Sequence, residues 1–133
     1  MSIETTAVRE RRIRRAGAAP GRPGRSDRAA VRRLTAEMVR RIVAQFQPER
    51  VVLFGSQARG DATLDSDVDL LVVMPVNGSK RDLRVALQMA LRDITFPRDI
   101  LVATPYEWNV QRNIPGTIVW PARREGVVLY ERR

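Results

Sequence analysis

The chain has 133 residues, a formal charge of +9 at pH 7, and neither cysteine nor histidine. The length fits one modest domain, and the two missing residue types exclude a Cys/His zinc site, a thiol nucleophile and imidazole acid–base catalysis. Any catalysis therefore has to use carboxylates, hydroxyls, backbone amides and bound cations.

The apolar residues set the expected location. They make up 44% of the chain, which is enough for a core, but apolar runs such as residues 70–73 are far shorter than a bilayer span. The arginine-rich N-terminus has no apolar run of signal-peptide length. We therefore expect a cytoplasmic protein that does not enter a membrane, and the absence of cysteine agrees with a reducing compartment.

The positive charge is concentrated at the N-terminus. Residues 1–33 carry ten arginines against three acids, whereas residues 34–133 carry 14 basic and 12 acidic side chains. Residues 1–28 mix Arg with Gly, Pro, Ala and Ser, so we predict a disordered basic arm there and a folded domain over residues 34–133. The arm is either a solvated tail, or a start codon placed too early, or a segment that binds nucleic acid or an acidic partner.

The first predicted helix has an apolar residue at every fourth position, which is helical spacing. Thr35 is its predicted N-cap, and Pro48 ends it. The apolar positions are Leu34, Met38, Ile42 and Phe46.

Three segments rich in β-branched residues are predicted strands. Gly55 stops the first strand and Pro75 closes the second, with a short helix at Gln57 between them. The strands are residues 50–54, 67–74 and 98–103.

The helix starts in the second half of the chain carry capping signals. Ser79 with Asp82 resembles a capping box, and Thr104 to Glu107 supply the N-cap, proline and acid of another helix start. The helix after Ser79 lies between two strands, which gives a β-α-β order. A weaker helix, bent at Pro121, and a last strand or extended tail over residues 127–130 complete the predicted elements.

Two carboxylates mark the candidate site. Asp67 and Asp69 fall on the same face of a strand because side chains alternate along it. Two carboxylates side by side on one strand face repel each other unless a proton or a cation lies between them. Mg²⁺ binds one or two carboxylates together with substrate phosphates. Gly55-Ser56, at the end of the preceding strand, is suited to approach a phosphate closely. Alone, each motif is also explained by a solvated strand end or an ordinary turn.

Together, residues 55–60 and 66–72 resemble the signature of the minimal nucleotidyltransferases of the DNA polymerase beta superfamily. The likeness runs from about residue 34 to the end of the chain and includes the closing segment 125–130. It implies an α/β (α+β) fold in which a short mixed sheet of about four strands packs with helices.

The resemblance also implies the site residues. Asp99 would be the third carboxylate, which completes the metal site and can act as the base for the incoming hydroxyl. The implied catalytic and metal-binding residues are Asp67, Asp69 and Asp99, with two Mg²⁺ ions as cofactors. The implied nucleotide-binding residues are Gly55, Ser56 and Arg59, with ATP as the expected substrate.

Several alternatives stay open for single residues. Arg59 either contacts phosphate or forms a structural ion pair. The alternative for Asp99 is a charged strand end that pairs with Arg98 or is exposed. Two loop acids are interpreted as solvated, and the two tryptophans as core or partner-facing packing. These four residues are Asp61, Asp65, Trp108 and Trp120.

The resemblance implies transfer of a nucleoside monophosphate, AMP from ATP, to a hydroxyl acceptor. Minimal members of this family commonly pair with a small helical partner, and we expect an antitoxin-like enzyme that acts on a HEPN-type toxin. Transfer to a drug or an RNA would need the same core. The alternative is a non-catalytic binding module that neutralises a partner or binds nucleic acid through its basic arm.

Overall fold

A computed structural model describes residues 25–63, 66–111 and 113–133, and side chains from residue 28 onwards. The helices of this part are α1 (Arg25–Phe46), α2 (Ser56–Arg59), α3 (Lys80–Ala90), α4 (Pro105–Gln111) and α5 (Val119–Glu125). The strands are β1 (Arg50–Phe54), β2 (Val68–Val73), β3 (Arg98–Ala103) and β4 (Val127–Glu131). None of the described helices is both long and apolar enough to cross a membrane.

The described strands form one mixed sheet in the order β3-β2-β1-β4. β1 pairs antiparallel with β2 and with β4, while β2 and β3 are parallel and joined by α3. The expected mixed α+β fold and the β-α-β order are therefore confirmed. β4 lies at the edge, where its pairing with β1 is interrupted by an irregularity between Val51 and Val52.

The two faces of the sheet bury different clusters, because side chains alternate along each strand. One face packs against α1 and α3, and the other packs against α4 and α5. The first cluster includes Met38, Ile42, Val51, Leu70, Val72, Leu87, Ile100 and Val102. The second includes Val52, Leu71, Val73, Ala103, Trp108, Val119 and Ala122.

The first helix starts earlier than predicted. α1 begins at Arg25, so Thr35 is not an N-cap but an interior residue whose buried hydroxyl donates to the carbonyl of Val31 at 2.8 Å. Alanine and arginine are good helix formers, and Val31 adds an apolar anchor to the core. Of the predicted disordered arm, residues 25–28 belong to α1, and residues 1–24 lie outside the described part of the chain.

Both predicted capping signals are confirmed. The Ser79 hydroxyl accepts a hydrogen bond from the Asp82 amide at 3.0 Å and so begins α3. At α4, the Glu107 carboxylate accepts from the Thr104 amide at 2.9 Å, and the Thr104 hydroxyl accepts from the Glu107 amide at 3.1 Å. The predicted bend at Pro121 is wrong, because this proline lies in the first turn of α5. A backbone N–H in the first turn has no helical acceptor, so its absence in proline does not disturb the helix.

Candidate active site

The three predicted carboxylates lie at the end of the sheet where β2 and β3 begin and β1 ends. Asp69 is the second residue of β2 and pairs in register with Asp99 of β3 on one side and with Phe54 of β1 on the other. Asp67 immediately precedes β2. The neighbours of Asp69, Val68 and Leu70, are buried against α1 and α3, so alternation directs Asp69 to the face that carries α4 and α5.

Asp69 is a half-buried carboxylate without a compensating partner. It makes no hydrogen bond or ion pair with any described residue, although unpaired charges are costly to bury. Burial raises the pKa of Asp69 to about 6, and the negative charges of Asp99 and Asp67 act in the same direction. The positive charge of Arg59 has a smaller effect and lowers this pKa. The site therefore holds negative charge that a proton or a cation would stabilise.

Gly55 brings the backbone close to this carboxylate. Its φ of 74° lies in the left-handed region that favours glycine, and a Cβ at this position would lie 2.2 Å from the Asp69 Oδ2 atom. A side chain at residue 55 would therefore displace Asp69. Ser56 begins α2 directly afterwards, and its hydroxyl makes no hydrogen bond within the described part of the chain, so it is available to a ligand.

Arg59 connects this turn to the far end of the chain. Its guanidinium donates to Asp61 at 3.2 Å and to Glu125 at 3.1 Å, so the side chain forms structural ion pairs while its charge still acts on Asp69. Asp61 was expected to be only solvated and is in fact paired. Glu125 was not among the predicted site residues, because the contact joins residues separated by most of the domain.

The carboxylates fit a hard divalent cation in charge and ligand type. In the described part of the chain, no three Asp, Glu, His or Cys side chains lie close enough together to hold a metal ion. Asp67 and Asp99 are both exposed, so their side chains can turn towards Asp69 once a cation offsets the repulsion. The unpartnered, half-buried Asp69 is the observation that fits a bound cation.

Other candidate residues have structural roles or lie outside the description. Arg98 does not pair with Asp99; its guanidinium instead donates to the Ile94 carbonyl at 2.6 Å and to Gln88 at 2.8 Å. Trp108 is buried in the core and contacts the guanidinium groups of two arginines, and Trp120 contacts one. The prediction for Asp65 lies outside the described residues.

The mixed four-stranded sheet, together with acids at the starts of two strands beside a Gly-Ser turn, defines a protein of the minimal nucleotidyltransferase type. Residues 36–120 match the model of the nucleotidyltransferase domain family, and the chain belongs to that family.

Similarity to a solved structure supports the fold. A crystal structure of a candidate nucleotidyltransferase from Sulfolobus solfataricus superposes with a TM-score of 0.57 and covers 79% of this chain and 84% of its own. The two sequences are 24% identical, so this likeness shows the fold alone. No curated protein sequence gives a match to the chain.

Proposed function

We propose that the protein is a Mg²⁺-dependent nucleotidyltransferase that transfers AMP from ATP to a hydroxyl group of a partner protein. The observation that carries this proposal is Asp69, a half-buried carboxylate without a partner, flanked by the charges of Asp99 and Asp67. A purely structural role gives no reason to place three acids together, since their mutual repulsion destabilises the fold. Family membership supports nucleotidyl transfer in general.

The residues divide into two roles in this proposal. Asp67, Asp69 and Asp99 would hold Mg²⁺, which supplies charge neutralisation at the phosphates and a lower pKa for the acceptor hydroxyl. Ser56 donates a hydrogen bond to a phosphate oxygen, and the Gly55 backbone allows the phosphate to approach.

The reaction balances with the groups that the chain supplies. The acceptor oxygen attacks the α-phosphorus of ATP, the new P–O bond forms, the bond to the β-phosphate bridge breaks, and pyrophosphate leaves. Asp99 takes the hydroxyl proton, because it is exposed and lies beside Asp69 in register. Arg59 offsets negative charge near Asp69.

The choice of acceptor rests on the family resemblance. An antitoxin-like role beside a HEPN-type toxin is what the resemblance of residues 55–60 and 66–72 to the minimal nucleotidyltransferases implies. Transfer to an RNA or to a small molecule is a separate outcome of the same experiment.

The decisive test follows label from α-labelled ATP, GTP, CTP or UTP in the presence of Mg²⁺ and host lysate. We expect ATP label on a protein with the natural chain and none with Asp67→Asn/Asp69→Asn. The matched control is Asp82→Asn, which removes an exposed carboxylate at the start of α3 and should transfer normally. Equal behaviour of all three proteins, with no label moved, would refute the enzyme and favour a binding module.

A further inference from the structure

The sheet face that carries α1 and α3 is only partly covered. α3 packs against β3, and α1 covers β1 and β2 through Met38 and Ile42. Among the described residues, no helix packs closely over the edge strand β4, whose Val127 and Leu129 stay 45% and 38% exposed. A sheet face is normally buried by a second layer, so the described part of the chain leaves one helix position beside α1 open.

A groove of about 890 Å³ lies at this position, between α1 and β4. Its floor is apolar, with aliphatic side chains from the helix, the centre of the sheet and the edge strand. We refer to it as the α1–β4 groove, and its main apolar lining residues are Val31, Val39, Val43, Leu53, Leu129 and Tyr130.

The rim of the α1–β4 groove is basic. Arg28, Arg32 and Arg40 line it along α1. Arg40 is neutralised by Glu37, with a contact of 2.6 Å, whereas Arg28 and Arg32 are exposed and pair with no residue in the described chain. The groove is thus suited to a ligand that has an apolar face and carboxylates beside it.

Charge also distinguishes the candidate occupants. Residues 1–24 carry six arginines against two glutamates, so the chain's own N-terminal segment has the same sign as the rim. A second copy brings a formal charge of +9, which opposes self-association. The positive charges of the rim and of the N-terminal segment both favour an acidic partner.

We propose that the α1–β4 groove binds an amphipathic helix of a protein partner, whose apolar side chains enter the groove and whose carboxylates face Arg28 and Arg32. A helix fits because α3 and α1 already form a helical layer over this sheet face, and the groove is the third place in that layer. Helix-in-groove recognition uses an apolar stripe of this kind. The inference rests on the proposed function for the existence of a protein partner.

The groove and the carboxylate site share one element. Asp69 faces the opposite side of the sheet, but Gln57 and Gly60, in and after α2, line the groove. An occupant of the groove therefore lies against the short helix that begins with Ser56. The partner would be held beside the nucleotide-binding turn without contacting the acids.

The test uses two synthetic peptides of about 18 residues, long enough to form a helix on binding. Both carry leucines at i, i+3, i+4 and i+7; one has glutamates beside this stripe and the other has lysines. Fluorescence anisotropy with the full chain should show that the acidic peptide binds more tightly and that salt weakens its binding.

Two variants locate the binding. Arg32→Glu should weaken the acidic peptide by at least about fivefold, whereas Arg33→Glu, the same charge change on an exposed residue outside the groove, should have less than about a twofold effect. Ala44→Trp fills the groove from an exposed position on α1 and should abolish binding, with circular dichroism confirming that each variant is folded.

Several results would overturn the proposal: no binding of the acidic peptide, equal effects of the two arginine variants, or undiminished binding to Ala44→Trp. A dimer in sedimentation velocity that Ala44→Trp dissociates would assign the groove to a second copy instead. Failure of the proposed function would look different, because the natural chain would then transfer no label and would still bind the acidic peptide.

Discussion

Replacing Asp99 with asparagine should lower the pKa of Asp69 in the metal-free protein. The pKa of Asp69 is raised from 3.8 to about 6, first by burial and then by the charge of Asp99. The two residues are register partners on adjacent parallel strands, which places their backbones about 4.8 Å apart. Asp99→Asn removes the second cause and leaves burial in place.

The size of the change follows from Coulomb's law. Two unit charges about 6 Å apart interact by about 0.7–1.4 kcal/mol at an effective dielectric constant of about 40–80, which corresponds to about 0.5–1 pK unit. The pKa of Asp69 should therefore fall to about 5–5.5 in Asp99→Asn and should stay above its ordinary value because the carboxylate remains half-buried.

The free energy of unfolding of the metal-free protein should depend on pH, because Asp69 titrates at a different pH in the folded and unfolded states. The folded-state pKa of Asp69 is higher than the unfolded one, so the folded state binds the proton more tightly and stability falls as pH rises from about 4 to about 6. The full shift corresponds to about 3 kcal/mol, and partial exposure reduces this to about 1–2 kcal/mol. Asp69→Asn should remove this loss of stability.

The assay is an NMR titration of the aspartate carboxyl carbons in EDTA, with urea unfolding at each pH. Asp82→Asn is the control, because it removes a carboxylate at the start of α3 and should leave the pKa of Asp69 unchanged. A pKa of Asp69 near 3.8 in the natural chain, or one that Asp99→Asn does not move, would refute this account of the site.

Three further substitutions test the fold around the site by urea unfolding. Gly126→Ala should destabilise by about 1–3 kcal/mol, because its Cβ would lie 2.1 Å from the Ala122 carbonyl oxygen. Arg98→Met should cost about 1–3 kcal/mol, since it leaves the Ile94 carbonyl, which follows α3, without its guanidinium donor. Thr104→Ala should cost about 1 kcal/mol, because it removes the hydroxyl that caps the Glu107 amide.

The two polar substitutions have counterparts with a smaller expected effect. Arg92→Met removes one exposed hydrogen bond, and a loss as large as that of Arg98→Met would contradict the hydrogen-bond explanation. Gly126 has an ordinary φ of −78°, so only packing opposes its replacement by alanine, and unchanged stability of Gly126→Ala would contradict the packing explanation. For Thr104, Thr104→Ser keeps the hydroxyl and should retain most of the stability; equal losses from both changes would contradict the cap.

Local patterns in the sequence predicted most of the described elements. The strand segments, the Ser79 and Thr104 caps and the short helix at α2 depend on neighbours within a few residues, and so each signal is present in a short window. The start of α1 was missed because an arginine-rich segment was interpreted as disordered, although alanine and arginine favour a helix and Val31 joins the core.

The sequence by itself determined that Asp67 and Asp69 share a strand face beside Gly55-Ser56, because strand alternation is local. Only the tertiary structure decided that Asp99 lies in register with Asp69, that Glu125 pairs with Arg59, and that β4 leaves a groove beside α1. These contacts join distant parts of the chain, and their positions depend on strand order and register, which no short window of sequence contains.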